Sequence, residues 1–262
     1  MSFELSLLQV RREFDAPNLP THRIITCIRI EKIIYEIVTL SNPTVCNRFL
    51  RTVDTRPASF FAAQVKSLCI PIDIEHSTAR RILSVCQGVI NLAFWLMDGP
   101  PLFDLISSLR PRRLSVNIRG LFGSDEQPDF SHPFFSDVTH LEFVDRWSSW
   151  TSWSRFEFLP HLTHLAVDVA YYSDGEDALI SLRLRQILTS CHSLLVCLVL
   201  VPDDDAMINV SNALTRNRID DLRLVILSDP DAVENWEASL RGATDVCQWA
   251  FAEGIVATKI RE

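Results

Sequence analysis

The chain has 262 residues, of which 47% are hydrophobic, and its formal net charge is −8 at pH 7. This composition is typical of a packed globular protein and excludes a disordered one. The acidic balance argues against general binding to nucleic acid, which requires a dense basic surface. The longest apolar stretch, residues 24–40, is interrupted by four charged residues, so we expect no membrane span.

The cysteines and the N-terminal residues indicate the cellular compartment of the protein. The seven cysteines are odd in number and have no Cys-x-x-Cys spacing, so we expect no disulfide framework. Cys69, Cys86, Cys191 and Cys197 lie in or beside apolar segments, which indicates small buried side chains in a reducing compartment. The N-terminus lacks the basic and apolar regions of a secretory signal. We therefore expect a cytoplasmic or nuclear protein; whether the sequence begins at the true start of the chain stays open.

A six-residue frame, apolar-x-x-Leu-x-apolar, recurs along the chain. It is clearest at residues 138–143 and 162–167, which are 24 residues apart. Each copy predicts a short strand whose alternate residues face the core. The spacings mostly match the period of leucine-rich repeats, roughly 20–29 residues. The leucines of the frame, with one imperfect copy at Leu114, are Leu68, Leu92, Leu114, Leu141, Leu165, Leu198 and Leu222.

Segments with helical apolar spacing lie between the predicted strands. They cover residues 78–86, 102–109, 177–191 and 205–216. One strand and one helix per unit predict an α/β fold, a leucine-rich-repeat-like solenoid in which parallel strands alternate with helices. The alternative is an ordinary α/β domain whose strands share a similar composition.

The pattern divides the chain into four parts. Residues 1–22 are expected to form a loose arm, and residues 23–58 a helical segment with helices over 24–40 and 44–53. Residues 59–229 are the predicted solenoid. Because a solenoid end exposes core, residues 230–262, with helices over 232–242 and 245–253, are expected to form a helical cap.

Several stretches resemble fungal F-box and leucine-rich-repeat-like proteins. Residues 33–40 (IIYEIVTL), 48–52 (RFLRT), 59–61 (SFF) and 65–70 (VKSLCI) resemble the segment that follows the F-box. Trp150-x-x-Trp153 before residues 159–165 resembles the middle of these proteins, and the stretches around Trp236 and Trp249 resemble their C-terminal end. The resemblance covers roughly residues 24–254. It implies a substrate-recognition subunit of a ubiquitin ligase that binds the cullin-ligase adaptor through the F-box, here truncated or degenerate because no Leu-Pro-x-Glu opening precedes Ile33.

The strand positions that alternate with the core leucines point to the other face of the sheet. In the middle strands these positions are polar, which predicts a rigid concave face that binds another protein. The candidate partner-binding residues on this face are Asn91, Trp95, Arg113, Asn117, His140, Glu142, His164 and Asp168.

Three tryptophans follow one of the predicted strands at three-residue spacing. Trp147, Trp150 and Trp153 are candidate exposed anchors of the kind enriched at interfaces. The alternative is that they fold back and cover the core, since large aromatic side chains are usually buried.

Catalytic motifs are missing from the sequence. There is no glycine-rich phosphate loop and no G-x-S-x-G elbow. Asp203–Asp205 follow a strand and precede a helix, which predicts a helix N-terminus rather than a cation site. We expect a non-enzymatic protein-interaction module without catalytic residues, metal or cofactor. The alternatives are a stand-alone scaffold without ligase docking, or a metal-dependent enzyme that uses His140, Glu142, His164 and Asp168.

Overall fold

The computed structural model describes residues 31–97, 99–123, 128–145, 150–151, 153–169, 177–228, 231–242 and 247–261. These residues form one open eight-stranded sheet in which every strand is parallel and the strands follow chain order. The strands are β1 (Ile37–Thr39), β2 (Ser67–Ile70), β3 (Asn91–Phe94), β4 (Arg113–Val116), β5 (His140–Phe143), β6 (His164–Asp168), β7 (Val196–Val201) and β8 (Leu224–Ser228). The alternating, parallel α/β arrangement predicted from the repeat is confirmed.

Helices and short 3-10 turns connect the strands. A helix over residues 31–36 leads into β1. The helices that follow are α1 (Pro43–Val53), α2 (Ala58–Gln64), α3 (His76–Val85), α4 (Phe103–Ile106), α5 (Ile118–Phe122), α6 (Asp177–Ser190), α7 (Asp204–Arg216), α8 (Ala232–Arg241) and α9 (Gln248–Arg261), with 3-10 turns at Pro133–Phe135 and Phe156–Phe158. No helix in the described part of the chain is both long and apolar enough to span a bilayer.

The predicted helix start at the three consecutive aspartates is confirmed. The Asp203 side chain accepts a hydrogen bond of 2.8 Å from the backbone N–H of Ala206. Asp204 and Asp205 lie in the first turn of α7, where the exposed N–H groups and the helix dipole favour negative charge. These three carboxylates therefore stabilise the N-terminus of α7.

The sheet begins earlier than the sequence pattern predicts. Helical spacing suggests one helix through Leu40, but the helix ends at residue 36 and β1 follows. β1 pairs with β2 through Ile37 and Ser67, and its β-branched residues suit a strand. Sheet pairing therefore overrides local periodicity, and the segment predicted to be helical supplies the first strand.

The leucines of the repeat form the inner row of the main core. Leu68, Leu92, Leu114, Leu141 and Leu165 pair in register across β2–β6, and all are buried. Burying one such side chain stabilises the fold by roughly 1.5–3 kcal/mol. The row packs against the helices and turns between the strands, where Phe61, Ile82 and Phe156 belong to the same core. The predicted frame is confirmed for these five strands.

The frame shifts by one residue in β7. Leu165 pairs with Cys197 rather than Leu198, and Cys197 pairs with Leu224 rather than Leu222. Leu198 therefore faces the opposite side of the sheet, and Leu222 is 50% exposed outside β8. All six residues of β7 are buried apolar side chains, so alternation cannot indicate which face each one takes.

The two C-terminal helices lie on the sheet face opposite the main core. Trp236 of α8 packs with Cys69, Ala93 and Trp95. Trp249 of α9 belongs to a second cluster that also contains Ala252, Val256, Ala166 and Leu198. The helices therefore cover the face, whereas the sequence predicts a cap at the end of the solenoid. Small side chains on β2, β3 and β6 leave room for the indoles.

The six described cysteines are buried and free. Cys69, Cys86, Cys191 and Cys197 are among them, which confirms that they act as small core residues. Burial raises the pKa of the Cys86 and Cys197 thiols to about 12, so both are protonated at neutral pH.

Candidate functional site

The structure divides the predicted face into two parts. Its first part, the covered row, lies under α8 and α9 and consists of Asn91, Arg113, His140 and His164, which pair in register across β3–β6. Its second part lies nearer the carboxyl ends of the strands and borders an open groove. This second part consists of Trp95, Asn117, Glu142 and Asp168.

Hydrogen bonds join the C-terminal helices to the covered row. Arg113 Nη1 donates a hydrogen bond of 2.5 Å to the backbone oxygen of Ser239 on α8. His164 Nε2 lies 2.9 Å from Oε1 of Glu253 on α9. Within the sheet, Asn91 Nδ2 donates to Ser67 Oγ at 2.9 Å. In this structure the side chains of the row therefore bind other parts of the same chain. Binding of a partner protein at the row stays a prediction.

The two histidines of the row form a parallel stack. Their ring centroids are 4.1 Å apart with an interplanar angle of 1°, and the Trp249 ring is nearly perpendicular to both, with centroid distances of 5.5 Å. Burial lowers the pKa of His140 to about 3, with smaller contributions from His164 and Arg113. Burial also lowers the pKa of His164, against the opposing effect of Glu253. Both imidazoles are therefore neutral at pH 7, which allows them to stack without charge repulsion.

The histidine stack does not form the metal site of the enzyme alternative. Nδ1 of His140 lies 3.0 Å from the hydroxyl of Thr139, and Nδ1 of His164 lies 2.8 Å from that of Thr163. Glu142 and Asp168 face the groove instead of this stack. Among the residues that the structure describes, no three His, Cys, Asp or Glu side chains are grouped so as to hold a metal ion. The four residues of that alternative are therefore not assembled into one ligand set.

We call the open site the carboxyl-edge groove. It has a volume of about 300 Å³ and lies between the carboxyl ends of the strands and the start of α8. The lining consists of Ile72, Trp95, Met97, Asn117, Glu142, Val144, Asp168, Leu200, Val201, Pro202 and Ala232.

Hydrogen bonds fix the walls of this groove. Trp95 Nε1 donates to Ser115 Oγ at 2.8 Å, which orients the indole. Asn117 Oδ1 accepts from the backbone N–H of Gly120 at 2.7 Å and begins α5. The carboxylate of Asp145 also accepts from this helix, at 2.7 Å from the backbone N–H of Ile118. The Trp95 and Asn117 side chains of the lining are therefore held in fixed orientations.

The groove combines acidic and aliphatic groups. Glu142 on β5 and Asp168 at the end of β6 face it, and their Cα atoms are separated by roughly 8 Å, from one strand spacing and two residues of rise. The described lining contains two charged side chains, and both are carboxylates. Ile72 and Met97 are 53% and 41% exposed beside them. Such a surface suits a cationic group next to an aliphatic one.

The predicted aromatic anchors are not an exposed set. Trp150 is 0% exposed and Trp153 is 3% exposed, and both belong to the main core. Trp150 Nε1 donates to the backbone oxygen of Asp168 at 2.9 Å, and the Trp153 ring lies 4.9 Å from that of Phe143. The two indoles cover the core, as large apolar side chains usually do. Trp147 lies outside the described residues.

Sequence reasoning missed the apolar residues of the groove. Ile72 and Met97 each follow the end of a strand, and an exposed aliphatic residue at such a place is a usable signal. The sequence does not indicate that Ala232 lines the groove. This residue reaches the groove because α8 folds back over the sheet.

No protein-family model matches the sequence, and neither a curated protein nor a solved structure matches it. The contacts, burial and charge of the chain's own residues therefore carry the functional inference.

Proposed function

We propose that this protein is a non-enzymatic interaction module that binds a segment of another protein in the carboxyl-edge groove. The observation that carries this proposal is the meeting of Glu142 and Asp168 with exposed Ile72 and Met97 around one open site. Volumes of ligand pockets begin at about 300 Å³, which is enough for one or two side chains. The occupant is therefore a short segment rather than a large ligand.

The chemistry of the groove defines the partner segment. Carboxylates attract a Lys or Arg side chain, and hydrogen bonds to charged groups contribute roughly 1.5–3 kcal/mol each. The aliphatic rim accommodates an apolar side chain next to that cation. We therefore expect a basic residue adjacent to an aliphatic or aromatic one.

A peptide selection tests this proposal. A randomised peptide library displayed on phage is selected against the purified chain, and the affinity of selected peptides is measured by fluorescence anisotropy. We expect enrichment of Lys or Arg beside an apolar residue. The double variant Glu142→Gln/Asp168→Asn should bind such a peptide at least about tenfold more weakly, because both attractive charges are removed.

Matched variants separate this effect from a general change of charge. Asp137→Asn and Asp220→Asn each remove one exposed carboxylate outside the groove and should retain the affinity. Melting temperatures show whether each variant is folded. Selection of peptides without basic residues, or equal binding by the folded double variant, would contradict the proposal.

Within the parallel α/β class, we infer a leucine-rich-repeat-like solenoid. The in-register leucines of β2–β6, spaced by 22 to 27 residues, support this assignment. The helices on the second face of the sheet depart from an open solenoid, whose concave surface is uncovered. The assignment predicts that deleting one internal repeat unit leaves a folded chain, because each unit contacts mainly its neighbours.

The ligase role is a second proposal that rests on the resemblance to F-box proteins. If it holds, the full chain binds the purified cullin-ligase adaptor saturably, and a chain lacking residues 1–30 binds less. Removing residues 1–55 is unsuitable, because β1 and α1 supply Val38, Cys46 and Phe49 to the core. Failure of the folded full chain to bind the adaptor leaves a stand-alone scaffold.

A further inference from the structure

We propose that a cleft on the main-core side of the sheet binds a phosphate group, either as the free anion or as a monoester. We call it the arginine cleft, because Arg155, Arg183 and Arg185 are in its lining. It has a volume of about 550 Å³ and lies between the turn Phe156–Phe158 and α6. Phe156 beside it belongs to the main core, whereas the carboxyl-edge groove borders the opposite face. The two sites are therefore separate.

The charge of the cleft is opposite to that of the chain, whose formal net charge is −8. None of the three guanidinium groups forms an ion pair with a carboxylate of the described residues. Like charges that line one cleft repel each other, and a bound anion relieves this repulsion. Glu157 is in the same lining, so three guanidinium groups and one carboxylate leave a net charge of +2. A phosphate monoester carries about −1.5 to −2 at pH 7 and matches it.

Two of the guanidinium groups are held in place by backbone carbonyls. Arg183 is partly buried, and its Nε donates to the oxygen of Thr151 at 2.6 Å, so its two Nη groups remain as donors. Nη2 of Arg185 donates to the oxygen of Asn217 at 2.6 Å. Burial lowers the pKa of Arg183, yet an arginine stays charged at neutral pH. The cations are thus positioned before a ligand arrives.

The third arginine comes from the turn. Arg155 has a φ of 67°, in the left-handed region that is costly for a residue with a Cβ. Such strain is common where a side chain must be presented to a ligand. Its exposed guanidinium group faces solvent at the cleft.

The hydrogen-bond donors of the cleft select the ligand class. The hydroxyls of Thr189 and Ser190 donate to carbonyls of their own helix, at 2.7 and 2.9 Å. Ser154 and Gln186 of the lining carry neutral donors, and the charged donors are guanidinium N–H groups. Their planar fork matches two oxygens of a phosphate, which makes arginine clusters typical of phosphate recognition.

The test is a titration of the full, isotope-labelled chain with inorganic phosphate at low salt, followed through the arginine Nε–Hε signals. We expect saturable shifts at Arg183. Arg155→Gln and Arg185→Gln should each weaken binding about tenfold, since each removes a charge-assisted hydrogen bond. Glu157→Gln should tighten binding severalfold by removing the only opposing charge among the described lining residues.

Arg80→Gln, which removes an exposed arginine on α3, is the matched control and should bind like the wild type. A second arm compares a phosphoserine pentapeptide with inorganic phosphate. Tighter binding of the peptide identifies a phosphorylated side chain as the source, and equal binding identifies free phosphate. The proposal is overturned if phosphate shifts do not saturate, if chloride at equal ionic strength reproduces them, or if the cleft variants bind like Arg80→Gln.

Discussion

Lowering the pH from about 7.5 to about 5.5 should destabilise the protein, because His140 is held neutral in the fold. Its pKa is lowered from 6.5 to about 3, first by burial and then by His164 and Arg113. The unfolded chain therefore binds a proton near pH 6.5 that the folded chain does not bind. The contribution of His140 to the free energy of unfolding is fully present above pH 6.5, and it is lost progressively as the pH falls towards the folded pKa.

The magnitude follows from proton linkage. Between pH 7.5 and 5.5, His140 alone lowers the free energy of unfolding by about 1.4 kcal/mol, and the value changes little if the folded pKa is 4. His164 acts in the same direction, because burial lowers its pKa too. Asp145 acts in the opposite direction, because burial raises its pKa to about 6. When the pH falls from 7.5 to 5.5, Asp145 therefore raises the free energy of unfolding by about 0.8 kcal/mol.

Urea denaturation at both pH values measures the effect, and a variant isolates it. His140→Gln removes the titrating group but leaves Asp145 in place, so its pH-dependent loss should be smaller than that of the wild type by about 1.4 kcal/mol. His161→Gln, at an exposed position, controls for loss of a histidine as such. Equal pH-dependent losses of stability in the wild type and His140→Gln would show that His140 is not held neutral by the fold.

Three further substitutions should change the stability of the protein, and the same urea denaturation measures each effect. Arg113→Gln should lower the free energy of unfolding by roughly 1.5–3 kcal/mol, because it removes the hydrogen bond that holds Ser239 of α8. Gly120→Ala should cost about 3 kcal/mol, since a Cβ would lie 1.7 Å from the backbone oxygen of Leu96. Gly254→Ala, in α9 with nothing within 4 Å of its Cβ, should stabilise by roughly 0.5–1 kcal/mol. Loss of stability in Gly254→Ala, or none in Gly120→Ala, would contradict the packing described.

The candidate site shows how far side-chain alternation predicts function. The predicted face residues do lie on one face, because alternation in β3–β6 is strict. Alternation does not tell which part of that face is open. That depends on Trp236 and Trp249, whose helices pack on this face and cover part of it, whereas Ile72 and Met97 beyond the carboxyl ends of β2 and β3 remain exposed.

The amino-acid sequence was sufficient to predict the parallel α/β class, the five in-register leucines of β2–β6, and the buried cysteines. These features follow from local apolar periodicity, which reports the burial of single positions. Tertiary structure alone decided three others: β1 instead of a helix, the one-residue shift at Cys197, and the place of α8 and α9. Each of them depends on pairing or packing between distant segments. Periodicity cannot report such contacts, and in β7, apolar on both faces, it carries no register at all.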